Sequence, residues 1–427
     1  MTGVETGLKL NLLFRLRAYD RVRYMSSDLT TVEERGSHGK LLLPSLVMSN
    51  FAAGALSVLI GLLLIDIGDT FNASVGIMGQ TNTAYSAVAV VFALIMSFLS
   101  ARFRHKSLLL IGLLFNSASA VGCLLASDFN TMLVSYSLGG LGWAMVSPMT
   151  STLIGEHFAL EKRASAIGWL IAGGSLVYVV GAPTIALIAA QGGWRLPLLE
   201  FVIPVSLASF LLALVSLPSS SHSHPCTARK ETYLQSYKMI LLNRSAAACL
   251  VGDVLRSAAF VAVLLYAASF VRQRFLASLN FASVVILGGA LCYTLGSLAS
   301  GRLVNRIGRK PSAVLTAVLA GAFTMVFMRM PNLWLSLALI FAASWFFGML
   351  TSAANCLTLE QVPKFRGTMM SMDSASVNLG SALGAAVGGL ALIRFGYEGL
   401  GSILGVLSIA AAFVFYFLAT DPTRQKN

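Results

Sequence analysis

The sequence predicts an all-α integral membrane protein, with twelve transmembrane helices in two pseudo-symmetric six-helix bundles and both termini in the cytoplasm. Three observations lead there: composition, a series of long apolar runs, and the placement of basic residues. Of the 427 residues, 56% are hydrophobic and 11% charged, against roughly 45–50% and about 25% in ordinary globular domains. Mean hydropathy is +0.79. A soluble fold of this length lacks the interior to hide so much apolar surface. The same composition argues against a secreted disulfide scaffold, a disordered chain and a nucleic-acid-binding domain.

A helix crossing the hydrocarbon needs about 20 mostly apolar residues. Twelve such runs are present, at about 42–65, 74–99, 107–127, 131–153, 164–190, 196–217, 246–270, 281–301, 311–330, 332–354, 367–392 and 397–419. A barrel would instead alternate polarity over roughly ten-residue segments. Stretches such as Leu108-Leu109-Leu110-Ile111 are apolar on every face, as a spanning helix requires.

Lys and Arg set the orientation. With the N-terminus inside, 24 of the 30 basic residues fall in cytoplasmic segments, and five (Arg195, Arg272, Arg274, Arg329 and Arg394) fall outside. Arg256 remains within a span. This asymmetry explains the net charge of +13 as topology and contact with anionic lipid, with no nucleic acid required. Cys123, Cys249, Cys292 and Cys356 fall within spans and Cys226 in a cytoplasmic loop, so no disulfide is expected. Arg15 and Arg17 interrupt the first apolar stretch, which rules against a signal peptide; a basic tail or an internal start at Met25 accounts for it.

The chain matches itself at an offset of about 204 residues. Ser97-Phe-Leu-Ser-Ala-Arg102-Phe-Arg-His-Lys106 aligns with Gly301-Arg-Leu-Val-Asn305-Arg306-Ile-Gly308-Arg309-Lys310, Glu156 with Glu360, and Gly193-Trp194 with Gly396-Tyr397. Between the halves, Pro218 to Arg244 is polar and Ser-rich. The expected organisation is a basic tail (1–41), a first bundle (42–217), a cytoplasmic linker (218–245), a second bundle (246–419) and a short tail (420–427). Parallel halves imply rocking about a site near the bilayer midplane.

In these features the sequence resembles the major facilitator superfamily, from about Leu42 onward. Gly301-x-x-x-Asn305-Arg306-x-Gly308-Arg309-Lys310 is similar to the superfamily's Gly-x-x-x-Asp-Arg-x-Gly-Arg-Arg signature. Pro148, Glu156, Arg163-Ala-Ser-Ala-Ile-Gly168, Gly173-Gly174, Gly181-Ala-Pro183 and Gly193-Trp194-Arg195 continue the likeness, which is strongest to its drug and metabolite exporters, proton antiporters. The resemblance implies a secondary transporter working by alternating access, with Arg102 and the second-half signature acting as a conformational gate. Departures bear on coupling. The signature Asp is Ala101 in the first half and Asn305 in the second, and the first half's second glycine is Arg104. Tyr136 stands where proton-coupled exporters carry an Arg ahead of Gly140-Leu-Gly142.

Ionisable groups deep in a bilayer cost about 2.5–3.5 kcal/mol each at a helix centre and are functional candidates by default. Asp253 and Arg256 lie ~12 and ~16 Å into span seven at helical rise, three residues apart and on one face. They read either as a proton- or cation-binding carboxylate gated by Arg256, or as a self-neutralising ion pair. Asp373 shares a face with Gly380, Gly384 and Gly388, small residues that mark tight helix packing, and is expected to act as a latch near the signature loop. Ser371, Ser374, Asn378 and Ser381 form a stripe facing water. Asn50, Gln80 and Tyr136 complete the candidates for binding substrate or coupling ion, while Asp66 and Asp69 read as a solvated helix end.

His222-x-His224-x-Cys226 lacks a fourth ligand at zinc spacing, so no metal is expected. No phosphate-binding Gly-x-x-x-x-Gly-Lys-Ser/Thr loop occurs, and nothing suggests an enzyme or a cofactor. The expectation is a monomeric, multi-pass plasma-membrane carrier of a small, amphipathic organic solute, with protons or another ion coupled to efflux. An uptake carrier or facilitator of the same fold, and a non-transporting sensor or partner protein, are its rivals.

Overall fold

In a computed structural model, the described residues are 41–158, 160–217, 237–362 and 366–421. The N-terminal tail, most of the polar linker with its His222-x-His224-x-Cys226, and residues 422–427 lie outside them. Every regular element among the described residues is helical. In a bilayer this is expected, because a helix satisfies each backbone N–H and C=O within its own segment.

Among the described residues, thirteen α-helices of seven residues or more follow in order, with a shorter helical stretch at 237–242. The first half holds α1 (Leu41–Leu62), α2 (Leu64–Thr70), α3 (Val75–Arg102), α4 (His105–Leu125), α5 (Phe129–His157), α6 (Leu160–Leu176), α7 (Ala182–Gly192) and α8 (Ile203–Ser216). The second half holds α9 (Arg244–Phe275), α10 (Leu279–Ile307), α11 (Arg309–Phe327), α12 (Leu333–Leu359) and α13 (Arg366–Phe417). Side-chain caps start several of them. Ser74 accepts from the Ile77 N–H, Ser278 from that of Phe281, and Asn332 from those of Trp334 and Leu335. Each cap satisfies donors that the first helical turn leaves orphaned.

Ten of the helices among the described residues are long and apolar enough to cross a membrane. Of the twelve expected runs, one is not among the ten and two are counted as one. The run at 131–153 is helical as α5 but falls outside those ten. The last two runs are joined as α13, broken at Gly396 (φ 63°, ψ −166°). That positive φ is a conformation only glycine adopts freely, so the chain turns there with little strain. Pro183 and Pro204 follow single π-helical turns, at Val177–Gly181 and Leu198–Val202. The widened turn accommodates a ring that lacks an N–H and crowds the preceding carbonyl.

The internal repeat is visible as matched contacts. His105 pairs with Glu156 at 2.6 Å, and their counterparts Arg309 and Glu360 pair at 3.9 Å. At the opposite end of the helices, the Trp194 indole donates to Thr70 at 2.9 Å and the Tyr397 hydroxyl to Gln273 at 2.7 Å. Gly140 of α5 packs on the Tyr85 carbonyl of α3, as Gly348 of α12 packs on the Tyr293 carbonyl of α10. The two halves therefore repeat one helix arrangement.

The small-residue face of α13 does what its spacing predicts. Gly380 and Gly384 lie against the α9 backbone at Val254 and Ala258, and Gly388 lies against the Tyr266 ring. A Cβ on Gly384 would fall 2.1 Å from the Ala258 carbonyl oxygen, where only backbone displacement relieves the clash. Gly384→Val is expected to destabilise the protein by at least ~3 kcal/mol, the upper range for overpacking. A thermal midpoint within a degree of wild type, in the same detergent, would contradict this packing.

Candidate functional site

The deepest charges of the chain come together between α9, α12 and α13. Asp253 is fully buried and Arg256 nearly so. Arg256 donates through Nε to Asp253, through one Nη to Thr351 Oγ1 at 3.2 Å and through the other to Asn355 Oδ1 at 3.0 Å. Thr358 donates its hydroxyl to the other Asp253 oxygen at 3.0 Å. Thr351, Asn355 and Thr358 follow a 4, 3 spacing that puts them on one face of α12.

Asp373 completes the cluster. It is 5% exposed, its carboxyl meets that of Asp253, and its Oδ1 has no hydrogen-bond partner. Asp373, expected as a latch near the signature loop, meets Asp253 of α9. Its face of α13, seven residues from Gly380, packs on α9, so Asp373 meets the charges of α9. Two carboxyls and one guanidinium leave a net charge of −1, which a single proton neutralises. Like charges side by side repel, and the Arg256 guanidinium on Asp253 offsets that repulsion.

One helical turn beyond this cluster lies a cavity of about 220 Å³, bounded by α1, α3, α5 and Tyr178 from the first half and by α9, α10 and α13 from the second. Phe260 is four residues after Arg256 and Val377 four after Asp373, so both helices carry one end of the charged cluster and one wall of the cavity. Its aromatic walls are Tyr85, Trp143, Tyr178 and Phe260, and its polar edge includes Asn82, Ser86, Asn378 and Ser381. Tyr85 stacks on Tyr136 at 4.8 Å between centroids, and Phe260 on Tyr293 at 4.6 Å. Among the described residues, no Asp, Glu, Lys, Arg or His lines it. A cation over desolvated ring faces gains about 2 kcal/mol or more, whereas stripping an unpaired ion of water costs several.

The structure sorts the candidates individually. Asn378 lines the cavity, with its amide donating to Ser374 O at 2.9 Å. Tyr136 is buried behind the wall, where it stacks on Tyr85 and meets Ser57. Asn50 does not face the cavity; its amide donates to the Leu170 carbonyl at 3.1 Å and ties α1 to α6. Gln80 likewise lies off the cavity, with its amide 3.5 Å from the carbonyls of Gly76 and Ala386.

Besides a mid-helix contact of Thr294 with Ser175 at 3.4 Å, several cross-half contacts lie toward the helix ends remote from the signature loops. Arg272 of α9 grips both oxygens of Asp66 of α2, at 2.5 and 2.9 Å. Ser86 and Ser381 hydrogen-bond at 2.8 Å, Asn82 donates to Ser381 at 3.4 Å, and Gly76 packs on the Gly389 carbonyl. The reading of Asp66 as a solvated end is corrected, since its partner sits on a helix 206 residues away. Asp66→Asn removes a bidentate, charge-assisted contact, so the equilibrium is expected to shift toward opening at this end by about fivefold, or ~1 kcal/mol. Unaltered accessibility of a cysteine at Asn378 from this side would contradict that.

At the signature end, several contacts lie within one half. Arg309 pairs with Glu360, Lys310 lies 5.6 Å over the Tyr416 ring, and Lys106 donates to the Leu214 carbonyl at 2.9 Å. Arg102, Gly301, Asn305 and Arg306 are exposed. Gly308 adopts φ 96°, a left-handed value that suits the signature glycine. Its counterpart Arg104 takes an ordinary φ of −65°, and α3 ends one residue earlier than α10 in the repeat register.

Comparison with known proteins agrees with this architecture. The sequence profile described as Major Facilitator Superfamily matches residues 46–276 and 254–427. The chain belongs to that superfamily and is a transporter of its fold. It is 21% identical over 390 residues to the uncharacterised MFS-type transporter YwfA of Bacillus subtilis (strain 168), covering 90% of this chain and 94% of that one. Among solved structures it superposes on the nucleoside transporter NupG with a TM-score of 0.75 at 14% identity, over 89% of this chain and 100% of that chain. It also superposes on a D-xylose-proton symporter, with a TM-score of 0.75 at 16% identity over 90% and 98% of the two chains. A bacterial homolog of the human lysosomal transporter Spinster, inward-facing and unoccupied, gives 0.70 at 15% over 91% and 99%.

Proposed function

We propose that this protein is a proton-coupled efflux carrier of a small organic solute, working by rocking of residues 42–217 against 246–419. The carrying observation is the cavity of about 220 Å³ shared by both halves, held shut at one end by Asp66–Arg272 and the contacts of α3 with α13. Such a cavity, open in turn to each side, is what alternating access requires.

The thirteen helices make twelve crossings in this reading. α1 with α2 forms one, α6 with α7 another, and α13 supplies two about Gly396. Both termini are cytoplasmic, as the basic residues argue. The signature loops then face the cytoplasm, the closed end faces outward, and the conformation is inward-open. Gly301, Asn305, Arg306, Gly308, Arg309, Lys310 and Arg102 form the cytoplasmic gate when the halves close there.

Asp253, Asp373 and Arg256 form the coupling site. Proton exchange changes the charge balance one turn from the cavity, so the tightness of α9 against α12 and α13 depends on protonation. The direction of transport rests on the likeness of Pro148, Glu156 and Gly181-Ala-Pro183 to exporters. The plasma membrane and a monomeric state belong to the same reading.

The test uses purified protein in liposomes with an imposed pH gradient, following internal pH while a panel of organic solutes is added. A solute-triggered proton flux opposite to solute movement is expected. Solute movement with no proton flux would remove the coupling, and flux in the same direction as the solute would reverse efflux to uptake.

A further inference from the structure

Resting on the reading of the cavity as the transport site, we infer that the substrate is an uncharged, planar aromatic compound of one or two rings, bearing hydrogen-bonding atoms on its edge. Four features of the cavity carry this. Its walls include aromatic rings contributed by both halves, Tyr85, Trp143 and Tyr178 from the first and Phe260 from the second. Two of these rings are themselves stacked, Tyr85 on Tyr136 and Phe260 on Tyr293, which fixes their planes before anything binds. A flat ring between such planes gains offset-stacked contacts without ordering the walls first.

The remaining features set charge, edge chemistry and size. Among the described residues no ionic side chain lines the cavity; one turn away Arg256 and Asp253 hold each other, while Asp373 keeps one unpartnered oxygen. An ion entering would leave water without a counter-charge in the cavity wall itself, and aromatic rings recover only part of that loss. The edge of the cavity carries the amides of Asn82 and Asn378 and the hydroxyls of Ser86 and Ser381, from α3 and α13. Each amide offers donor and acceptor together, so a ring edge with both is matched from two helices. The volume of about 220 Å³ has room for a ligand of one or two rings.

This narrows the expected amphipathic solute to a neutral one. It also gives the halves a reason to close. A ring bridging Tyr85 or Tyr178 of one half to Phe260 of the other binds best when both walls are near, so the ligand favours the closed intermediate between the two open states.

Matched ligands test the inference on the intact protein. Neutral bicyclic heteroaromatics, such as quinoline, are compared by calorimetry with their N-methylated cations and ring carboxylates, in wild type, Phe260→Ala and Phe260→Tyr. The neutral member of each set is expected to bind at least tenfold tighter than either ion. Phe260→Ala is expected to weaken it about tenfold, and Phe260→Tyr to restore most of the loss. A charged member that binds as tightly, and responds to Phe260→Ala, would overturn the substrate class while leaving the cavity as the site. Affinities indifferent to Phe260→Ala would place the ligands elsewhere and overturn the cavity reading as well. No binding by any neutral member would also overturn the class.

Discussion

Arg256→Ala is expected to be among the most destabilising single substitutions in this protein, by about 3–5 kcal/mol. The guanidinium is 5% exposed and joins Asp253, Thr351 and Asn355. Removing it leaves two facing carboxyls, Asp253 and Asp373, with no cation between them, and strands two polar side chains of α12. The loss is electrostatic as well as steric, so it is expected to be rescued by removing charge. Asp253→Asn combined with Arg256→Ala is expected to melt several degrees above Arg256→Ala alone. A double-mutant cycle of thermal midpoints measures this coupling. If the two substitutions simply add, the ion pair is not what holds α9 to α12.

Asp253→Asn by itself is expected to have a different outcome: a folded carrier without coupling. With one carboxyl made neutral, Arg256 and Asp373 balance, so the cluster sits permanently at the charge that protonation gives the wild type. Each unit of pH gradient supplies about 1.4 kcal/mol, roughly a tenfold accumulation for one proton per solute. The wild type is expected to accumulate solute to that order, and Asp253→Asn only to equilibrium, while exchange of labelled for unlabelled solute continues. Asp373→Asn is expected to do the same, because either carboxyl can be the one that lacks the proton. Unchanged accumulation in both variants would take the cluster out of the mechanism. Accumulation lost together with exchange would mean a damaged cavity, and the thermal midpoint separates that from uncoupling.

What was legible beforehand depends on how local the signal is. The pair Asp253 and Arg256 was readable because an i, i+3 spacing places both on one helix face. The glycines at 380, 384 and 388 were readable because small residues at four-residue spacing mark a close partner. The repeat, read from Glu156 against Glu360 and Gly193 against Gly396, reappears as matched contacts in the two halves. The residues misread are those whose partners lie on another helix. Asn50 and Gln80 were candidates for substrate or coupling ion, and their amides instead meet carbonyls of α6 and α13. Asp373 was placed on the correct face, but the face says nothing about which charge stands opposite.

Asp66 is the instructive case. A carboxylate at a helix end is usually solvated, and nothing in its own helix suggests otherwise. The available signal was the repeat, which puts Asp66 and Arg272 near the ends of the corresponding first helices of the two halves. The aromatic walls were hidden for a similar reason. Trp143, Tyr178 and Phe260 sit on three elements far apart in sequence, and single aromatic residues in apolar spans carry no pattern.

The central claim is that one cavity opens alternately to the two sides as the halves rock. It is tested most directly with a cysteine at Asn378, in a chain whose five native cysteines are replaced, reconstituted in liposomes and probed with an impermeant thiol reagent from each side. The same chain also carries Asp66→Cys and Arg272→Cys, which a short bifunctional reagent joins across the halves. Before joining, the Asn378 cysteine is expected to react from both sides. After joining, it should react only from the side of the signature loops, and cleaving the linker should restore the other. Reaction from both sides in the joined protein, or from one side alone before joining, would contradict alternating access through this cavity.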